Sequence, residues 1–391
     1  MEIVIRDFSQ LKAAIDEIAP LITQHADAAD EQRRPQREVA TAMARAGLYR
    51  VAVPASLGGG EEHPELQIRT IEEVSRLDGG TGWALMIGIE NLGILGPFLD
   101  RSLSEVMYAD PELIMAGALN PMGQAHKVEG GYRVSGQWPF ASGVHNAGYF
   151  MGQCIVHENG ERLRDANGMA VLIEILVAAS EFEIVDTWQV SGLRGSGSHD
   201  VRVDEVFVPE SSTAQVAKGQ HSETGTLFRF PMYSRLAYNK VGVATGIARA
   251  AIDHFVELAS NKTPRAAATK LQQRPDAQHA IAEAEYLLGS SRSYVFAMVN
   301  ELWDQVEAGE RPDAKQRARM QLACSGACTS AVQAVEKVYA AAGASANFKA
   351  NPLERCMRDV LVVRQHIMVS PQWHDVAGKV LLGLPSETFL F

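Results

Sequence analysis

Apolar residues follow three different spacings along the chain. From residue 8 to about 115, and again from Leu236 to the end, they recur every three or four positions, as in amphipathic helices. Between these zones, residues 132–138 and 201–208 alternate apolar and polar positions, which is the pattern of half-buried strands. The pattern therefore predicts helices, then a β domain, then helices.

The first zone predicts four helices, over residues 8–29, 35–46, 64–77 and 82–95. The last of these is apolar all round, as expected of a helix inside a core. Pro20 falls within the first helix and is expected to kink it or split it, because proline lacks the backbone N–H and crowds the preceding turn.

The third zone predicts long, Ala-rich helices over residues 241–259, 277–308, 313–342 and 353–367, a composition that favours a bundle. In the middle zone, the nearly continuous apolar run 169–177 predicts a buried strand.

The domain boundaries predicted from these zones divide the chain into three parts. They are an N-terminal helical domain over 1–115, a central β domain over 116–220 and a C-terminal bundle over 221–391. The fold class is α+β.

Composition excludes several classes of protein. Lys and Arg total 36 against 47 Asp and Glu, and the net charge of −11 argues against nucleic acid as a partner. No apolar run reaches the roughly 20 residues that cross a bilayer, and the N-terminus lacks a signal-peptide pattern. Four cysteines do not form a disulfide framework. We expect a cytoplasmic protein with no membrane contact.

Common cofactor motifs are missing from the sequence. The histidines form no HxxxH or HExxH pair, and Cys324 and Cys328 have no second ligand pair, so no metal site is predicted. No GxxxxGK[ST] and no strand–GxGxxG–helix unit is present. Nucleotide-binding folds built on those loops are therefore not expected.

Three polar residues stand out in otherwise apolar or neutral surroundings. Glu90 lies in an apolar helix, where a carboxylate is either paired within the structure or accepts a hydrogen bond from a substrate. His366 interrupts an apolar segment, where a lone histidine is usually a structural residue. Arg265 could hold an anion or lie on the surface.

Several motifs together resemble one family. The order α–β–α, the strand motif Gly131-Tyr-Arg-Val-Ser-Gly-Gln-Trp138 and the helix motif Glu354-Arg355-x-x-Arg358-Asp359 resemble the acyl-CoA dehydrogenase superfamily. Two further motifs, Trp138-Pro-Phe-Ala-Ser142-Gly143 and Trp188-x-x-x-Gly192-Leu-Arg194-Gly-Ser196-Gly-Ser198, resemble its two-component flavin monooxygenases. That branch includes 4-hydroxyphenylacetate 3-hydroxylase, a steroid A-ring hydroxylase, and dibenzothiophene and indole monooxygenases.

This resemblance implies a fold, an activity and partners. The fold would comprise an N-terminal helical domain, a β-barrel-like domain and a four-helix bundle, assembled as a homotetramer. A separate flavin reductase would supply FADH2 or FMNH2, which reacts with O2 to form a C4a-hydroperoxyflavin. The oxygenase component would transfer one oxygen atom to a small aromatic substrate, and it must shield the intermediate from water.

The resemblance also assigns site residues. Ser142 would bond near flavin N5, and His366 would act as acid or base. The residues that would bind the cofactor are Asn120, Met122, Trp138, Ser142, Gly143 and Arg265, the last of these toward the flavin phosphate. Glu90 and Asn91 stand where some relatives place a substrate-binding histidine. A carboxylate there suits an N–H substrate of indole type better than a phenolate.

Two alternatives use the same scaffold. An acyl-CoA dehydrogenase-like desaturase needs a carboxylate base, but the tenth residue counted from Arg358 is Ile367, and Asp253 lies too far along its helix for the other base position. The second alternative is an N-oxygenase that acts on an amino sugar. Such a substrate is polar, and the apolar residues around Glu90 argue mildly against it.

Overall fold

The protein is described by a computed structural model over residues 7–216, 221, 223–388 and 390–391. It forms two compact units that interleave along the chain. Unit 1 comprises Met1–Glu62, Ala84–Gln189 and Arg194–Gly225, and unit 2 comprises His63–Trp83, Val190–Leu193 and Thr226–Phe391. The three domains predicted from the sequence, over 1–115, 116–220 and 221–391, remain a prediction, since the two units divide the chain in another way.

Helices account for most of unit 2 and for a smaller part of unit 1. In chain order the helices of the described residues are α1 (Phe8–Gln32), α2 (Arg37–Arg45), α3 (Pro64–Leu77), α4 (Gly79–Leu95), α5 (Arg101–Tyr108), α6 (Thr226–Arg229), α7 (Met232–Asn261), α8 (Pro275–Glu307), α9 (Ala314–Ala342), α10 (Pro352–Val363) and α11 (Gln372–Leu381). None of them is both long and apolar enough to span a membrane.

The strands all belong to unit 1. They are β1 (Met115–Val128), β2 (Gly131–Trp138), β3 (Tyr149–Glu158), β4 (Glu161–Arg162), β5 (Leu172–Ala178), β6 (Glu183–Val185), β7 (Asp200–Pro209) and β8 (Thr213–Ala214). The predicted strands over 132–138, 201–208 and 169–177 correspond to β2, β7 and β5.

One mixed sheet joins these strands in the order β6-β7-β2-β1-β3-β5-β8, with β4 on β3. Among the described residues, only β1 and β3 pair in parallel, and the other pairs of neighbouring strands are antiparallel. Inward residues of β7, such as Val201, and of β5, such as Ile175, belong to one hydrophobic core with Trp138. A single core shared by strands far apart in the ladder is the packing of a barrel-like sheet.

Of the two outcomes expected of Pro20, a kink or a split of the first helix, the split does not occur. Helix α1 runs without a break from Phe8 to Gln32 and includes Pro20. Its buried face has Leu11 and Ile15 before the proline and Ile22 after it, so packing on both sides holds one helix.

Unit 2 is built around α7, which packs against α3 and α9. Two glycines permit close approach to α3: a Cβ at Gly242 would lie 2.7 Å from the Ile68 carbonyl oxygen, and one at Gly246 would lie 2.4 Å from that of Glu72. The prediction of a helix over 353–367 was too long, because α10 ends at Val363 and a turn follows.

Candidate active site

The motif that begins at Trp138 leaves the end of β2 and enters a turn. Trp138 is fully buried, and its indole N–H donates to the Gln153 carbonyl at 2.7 Å. Cβ atoms at Gly123 and Gly136 would lie 2.1 and 2.8 Å from its ring, so glycines make room for it. Trp138 is predicted to bind the cofactor, and its fully buried ring fixes the end of β2.

Phe140, two residues later, lies in the opposite environment. It is 65% exposed, its ring lies 6.2 Å from that of Trp188, and its φ of +67° is in the left-handed region. A bulky residue with positive φ is strained by about 1–3 kcal/mol, and such strain concentrates at ligand sites. Sequence reasoning missed Phe140 because its backbone angle leaves no pattern in the sequence.

Ser142 begins a chain of buried hydroxyl groups. Its Oγ lies 2.7 Å from Ser198 Oγ, which lies 2.7 Å from Ser196 Oγ. The backbone of the turn is held as well, since the Gly143 N–H donates to the Ser196 carbonyl at 2.8 Å. Gly143 has a φ of +74°, which glycine adopts without strain. The predicted pair Ser142 and Gly143 therefore forms a rigid, uncharged polar turn.

Asn120 and Met122 lie in an irregular part of β1. Ala118 pairs with Gly152 and Gly123 with Cys154, so the residues between leave the ladder with β3 as a bulge. Asn120 and Met122 are both exposed there, and Met122 is 53% exposed. Both predicted residues are available to a ligand.

Glu90 and Asn91 are both buried on α4, each with 6% exposure. The Asn91 amide donates to the Met115 carbonyl at 3.4 Å, and a Cβ at Gly117 would lie 2.6 Å from Asn91 Oδ1. Asn91 therefore anchors the beginning of β1, whereas Glu90 places a carboxylate within an apolar helix.

In unit 2, His366 lies in the turn after α10 rather than on the helix. Its Nδ1 accepts from the Met368 N–H at 3.2 Å, so in the neutral ring Nε2 carries the proton. Gln321 of α9 donates to the Met368 carbonyl at 2.5 Å, and the Trp373 indole donates to the Ile367 carbonyl at 2.7 Å. Side chains from α9 and α11 thus fix the turn.

The pKa of His366 is held well below its usual value, first by burial and second by the Lys240 ammonium. The ring of Trp83 packs edge-on at 5.6 Å. Both causes disfavour the charged imidazolium, so His366 is neutral near pH 7 and offers an N–H donor at Nε2.

Arg265 lies in the connection between α7 and α8. It is exposed, and the residue after it, Ala266, has a φ of +63°. Within the part of the chain that the structure describes, its guanidinium forms no hydrogen bond or ion pair with another residue. A guanidinium in this state can bind a phosphate in bidentate geometry.

The motif Arg358-Asp359 holds a turn of unit 2. Asp359 is buried, and its Oδ1 accepts from the Leu193 N–H at 2.6 Å, while Arg358 donates to the Ser191 carbonyl at 2.6 Å. A Cβ on Gly192 would lie 2.1 Å from the Arg358 carbonyl oxygen. The sequence resemblance identified these residues but not this contact.

No suitable carboxylate occupies either predicted base position of a desaturase. Ile367 is 53% exposed in the turn beside His366. Asp253 lies on the surface of α7, where it pairs with Arg76 at 2.7 Å and with Arg249 at 3.8 Å.

Among the described residues, no group of three or more His, Cys, Asp or Glu could hold a metal ion.

Comparison with known proteins places this arrangement in a family. Residues 10–100 match the N-terminal domain of acyl-CoA dehydrogenases, and residues 239–371 match a C-terminal domain model of the same family. Indole-3-acetate monooxygenase of Pseudomonas putida is 31% identical over 354 residues, which are 90% of this chain and 89% of that protein. The chain belongs to the flavin-dependent monooxygenases of the acyl-CoA dehydrogenase superfamily.

A second relative agrees with this assignment in sequence, and a solved structure shows the same fold. The oxygenase subunit HsaA of Mycobacterium tuberculosis, a flavin-dependent monooxygenase, is 28% identical over 97% of both chains. The structure of XiaF from Streptomyces sp., in complex with FADH2 and glycerol, superposes with a TM-score of 0.88 at 20% identity over 97% of both chains. The protein is the oxygenase component of a two-component monooxygenase that uses reduced flavin, O2 and a flavin reductase.

Proposed function

We propose that this monooxygenase hydroxylates a small aromatic substrate that carries a ring N–H, of indole type. The observation that carries the proposal is Glu90, a carboxylate with 6% exposure on an otherwise apolar helix. A carboxylate accepts an N–H strongly and repels a phenolate. The similarity to an indole-3-acetate monooxygenase supports the same class of substrate.

The residues present fit a flavin. The exposed Phe140 ring suits a flat aromatic ligand, and Arg265 suits a phosphate of FAD or FMN. Asn120, Met122 and Gly143 would line its binding surface, and Ser142 would bond a ring nitrogen. When bound, reduced flavin activates O2 for transfer of one oxygen atom.

His366 is proposed to act on the reacting oxygen. Its Nδ1 is occupied by the Met368 N–H, so Nε2 is the atom that can donate. A neutral donor stabilises developing negative charge without itself adding a full cation. This favours the role of hydrogen-bond or proton donor for His366 over that of base.

We further propose a homotetramer that works in the cytoplasm. The outward face of α8 carries small or neutral exposed residues at helical spacing: Ala282, Tyr286, Gly289, Ser293 and Ala297. An uncharged face of this kind suits contact with a second copy of the chain. Light scattering tests the homotetramer by measuring the mass of the protein in solution.

The four cysteines are free and buried, which fits a reducing compartment such as the cytoplasm.

The substrate class is tested with matched pairs such as indole and N-methylindole, alongside phenols. With reduced flavin and ¹⁸O2, we expect the N–H compound to have a kcat/KM about tenfold or more above its N-methyl analogue, the size of one hydrogen bond to a charged group. Glu90→Gln should reduce this preference. Glu105→Gln, on the surface beside Arg101, is the control.

Equal turnover of the two indoles, or a preference for phenols, would overturn the substrate class. The assignment as a monooxygenase would stand in either case.

A further inference from the structure

The residue directly before β7 lies between two connections of unit 1. The antiparallel ladders place the last residues of β2 and of β6 beside the first two residues of β7. The chain that leaves β2 carries Phe140, and the chain that leaves β6 carries Trp188. The sheet therefore brings His199, at the start of β7, next to both connections.

His199 forms a hydrogen bond with each of them. Its backbone carbonyl accepts from the N–H of Ala141, the residue after Phe140, at 2.9 Å. Its imidazole is 3% exposed, and Nδ1 accepts from the Trp188 N–H at 3.4 Å. The rings of Phe140 and Trp188 meet edge to face, with their centroids 6.2 Å apart and an interplanar angle of 88°. Aromatic pairs favour this geometry.

We propose that His199 is a positioning residue, which holds Trp188 against Phe140 and so orients the exposed Phe140 ring for the flavin. The inference rests on the proposed function, which assigns the Phe140 ring to the flavin. The Phe140 side chain is 65% exposed, and its contact with Trp188 restricts the positions that the ring can take. A ring that is already restricted loses less conformational entropy when a ligand binds to it.

The partners of the two ring nitrogens define the form of His199 that serves this role. Nε2 lies 3.0 Å from the Arg33 carbonyl oxygen, which only accepts, so Nε2 carries the proton. In the neutral ring Nδ1 is then an acceptor, as the Trp188 N–H requires. Asp186 lies 3.3 Å from Nδ1, and Arg33 binds both of its carboxylate oxygens, so that this ion pair balances its charge.

Two substitutions separate the tasks of the two nitrogens. His199→Asn places an amide oxygen close to the position of Nδ1, where it accepts from the Trp188 N–H. His199→Gln places an amide N–H close to the position of Nε2, where it donates to the Arg33 carbonyl but leaves the Trp188 N–H without the imidazole acceptor. The two variants thus keep opposite halves of the histidine.

The test measures dissociation constants of reduced FAD and reduced FMN, anaerobically, with the purified full-length protein. His199→Gln should bind the flavin about five- to tenfold more weakly, the size of one lost hydrogen bond. His199→Asn should remain within about twofold of the wild-type protein, because it keeps the bond to Trp188.

A double-mutant cycle shows whether the effect passes through Phe140. With Phe140→Ala no ring is left to orient, so adding His199→Gln should change the flavin affinity by less than about twofold. A general loss of structure would weaken binding equally with and without the ring.

Tryptophan fluorescence gives a readout that needs no flavin. Trp188 is 9% exposed, and His199→Gln should move the emission to longer wavelength because the ring gains access to water. Adding Trp188→Phe should abolish this shift, since it removes the indole that reports it.

His157→Gln is the matched control. His157 is a half-buried histidine on β3 of the same unit, and its Nδ1 lies 3.2 Å from the Ile155 carbonyl oxygen. This change should leave both the flavin affinity and the fluorescence unchanged.

The outcomes separate this inference from the proposed function. Equal losses for His199→Asn and His199→Gln, or equal losses for His199→Gln with and without the Phe140 ring, would overturn the positioning role while the contact of Phe140 with the flavin stands. If Phe140→Ala alone leaves the flavin affinity unchanged, the proposed contact is wrong and the inference fails with it. If His199→Gln does not fold, His199→Leu, which also lacks an acceptor, decides by the same cycle.

Discussion

The turn that carries Ser142 and the turn that carries His366 hold their polar groups by different means. Around Ser142 the backbone is fixed by Gly143 at φ +74°, and the hydroxyl partners are neutral. Around His366 the turn is held by side chains from neighbouring helices, and the imidazole lies near the Lys240 ammonium. The first should respond to the hydrogen-bonding state of a ligand, and the second to charge and pH.

Removing the imidazole is the strongest test of this contrast. His366→Ala should lower kcat by about 10²- to 10⁴-fold, the usual contribution of a positioned proton donor. The affinity for reduced flavin should stay within a factor of about two, because our proposal assigns flavin binding to other residues. Rapid-mixing kinetics measures both quantities. His374→Ala is the control, since His374 is exposed on α11.

The pH profile checks the same residue in the intact protein. The pKa of His366 lies well below its ordinary value, so the neutral ring persists as pH falls through 6.5 and is lost only when pH reaches the lowered pKa. We expect kcat to show no His366-dependent decline near pH 6.5. An acid limb at that pH, abolished by His366→Gln, would show that the ring is solvated.

A substitution at Gly192 tests how much the close backbone contact between Gly192 and Arg358 contributes to stability. Gly192→Ala should destabilise the protein by about 3 kcal/mol, because the new Cβ would lie 2.1 Å from the Arg358 carbonyl oxygen and the backbone has to shift. Urea unfolding measures this. Gly378→Ala on α11 is the matched control: nothing lies within 4 Å of its Cβ, so it should stabilise by about 0.5–1 kcal/mol. Similar effects of both changes would contradict the contact.

The spacing of apolar residues was sufficient to predict an element where one period persists along its whole length, as in β2 and in the helix over 64–77. The same spacing placed the end of α10 too late. The turn at His366 is held by a hydrogen bond from Gln321, which lies 45 positions before His366 in the sequence. The sequence also could not show how Trp138, a predicted cofactor-binding residue, is packed. Only the three-dimensional structure shows that Gly123 and Gly152 open a buried space for this ring. Motifs thus named the candidate residues, and only long-range contacts show how each of them is packed.

Phe140 gives the smallest and most specific test of strain in the Ser142 turn. Phe140→Ala removes the exposed ring but keeps a Cβ at φ +67°, whereas Phe140→Gly also removes the strain. Glycine gains about 1–2 kcal/mol from the left-handed angle and loses about 0.5–1 kcal/mol through the freer unfolded chain. The glycine variant should therefore be more stable than the alanine variant by about 0.5–1 kcal/mol in urea unfolding. Both should lose flavin affinity equally, because both lack the ring. If the alanine variant is the more stable, the turn relaxes without the ring, and the strain belongs to Phe140 rather than to the backbone around Ser142.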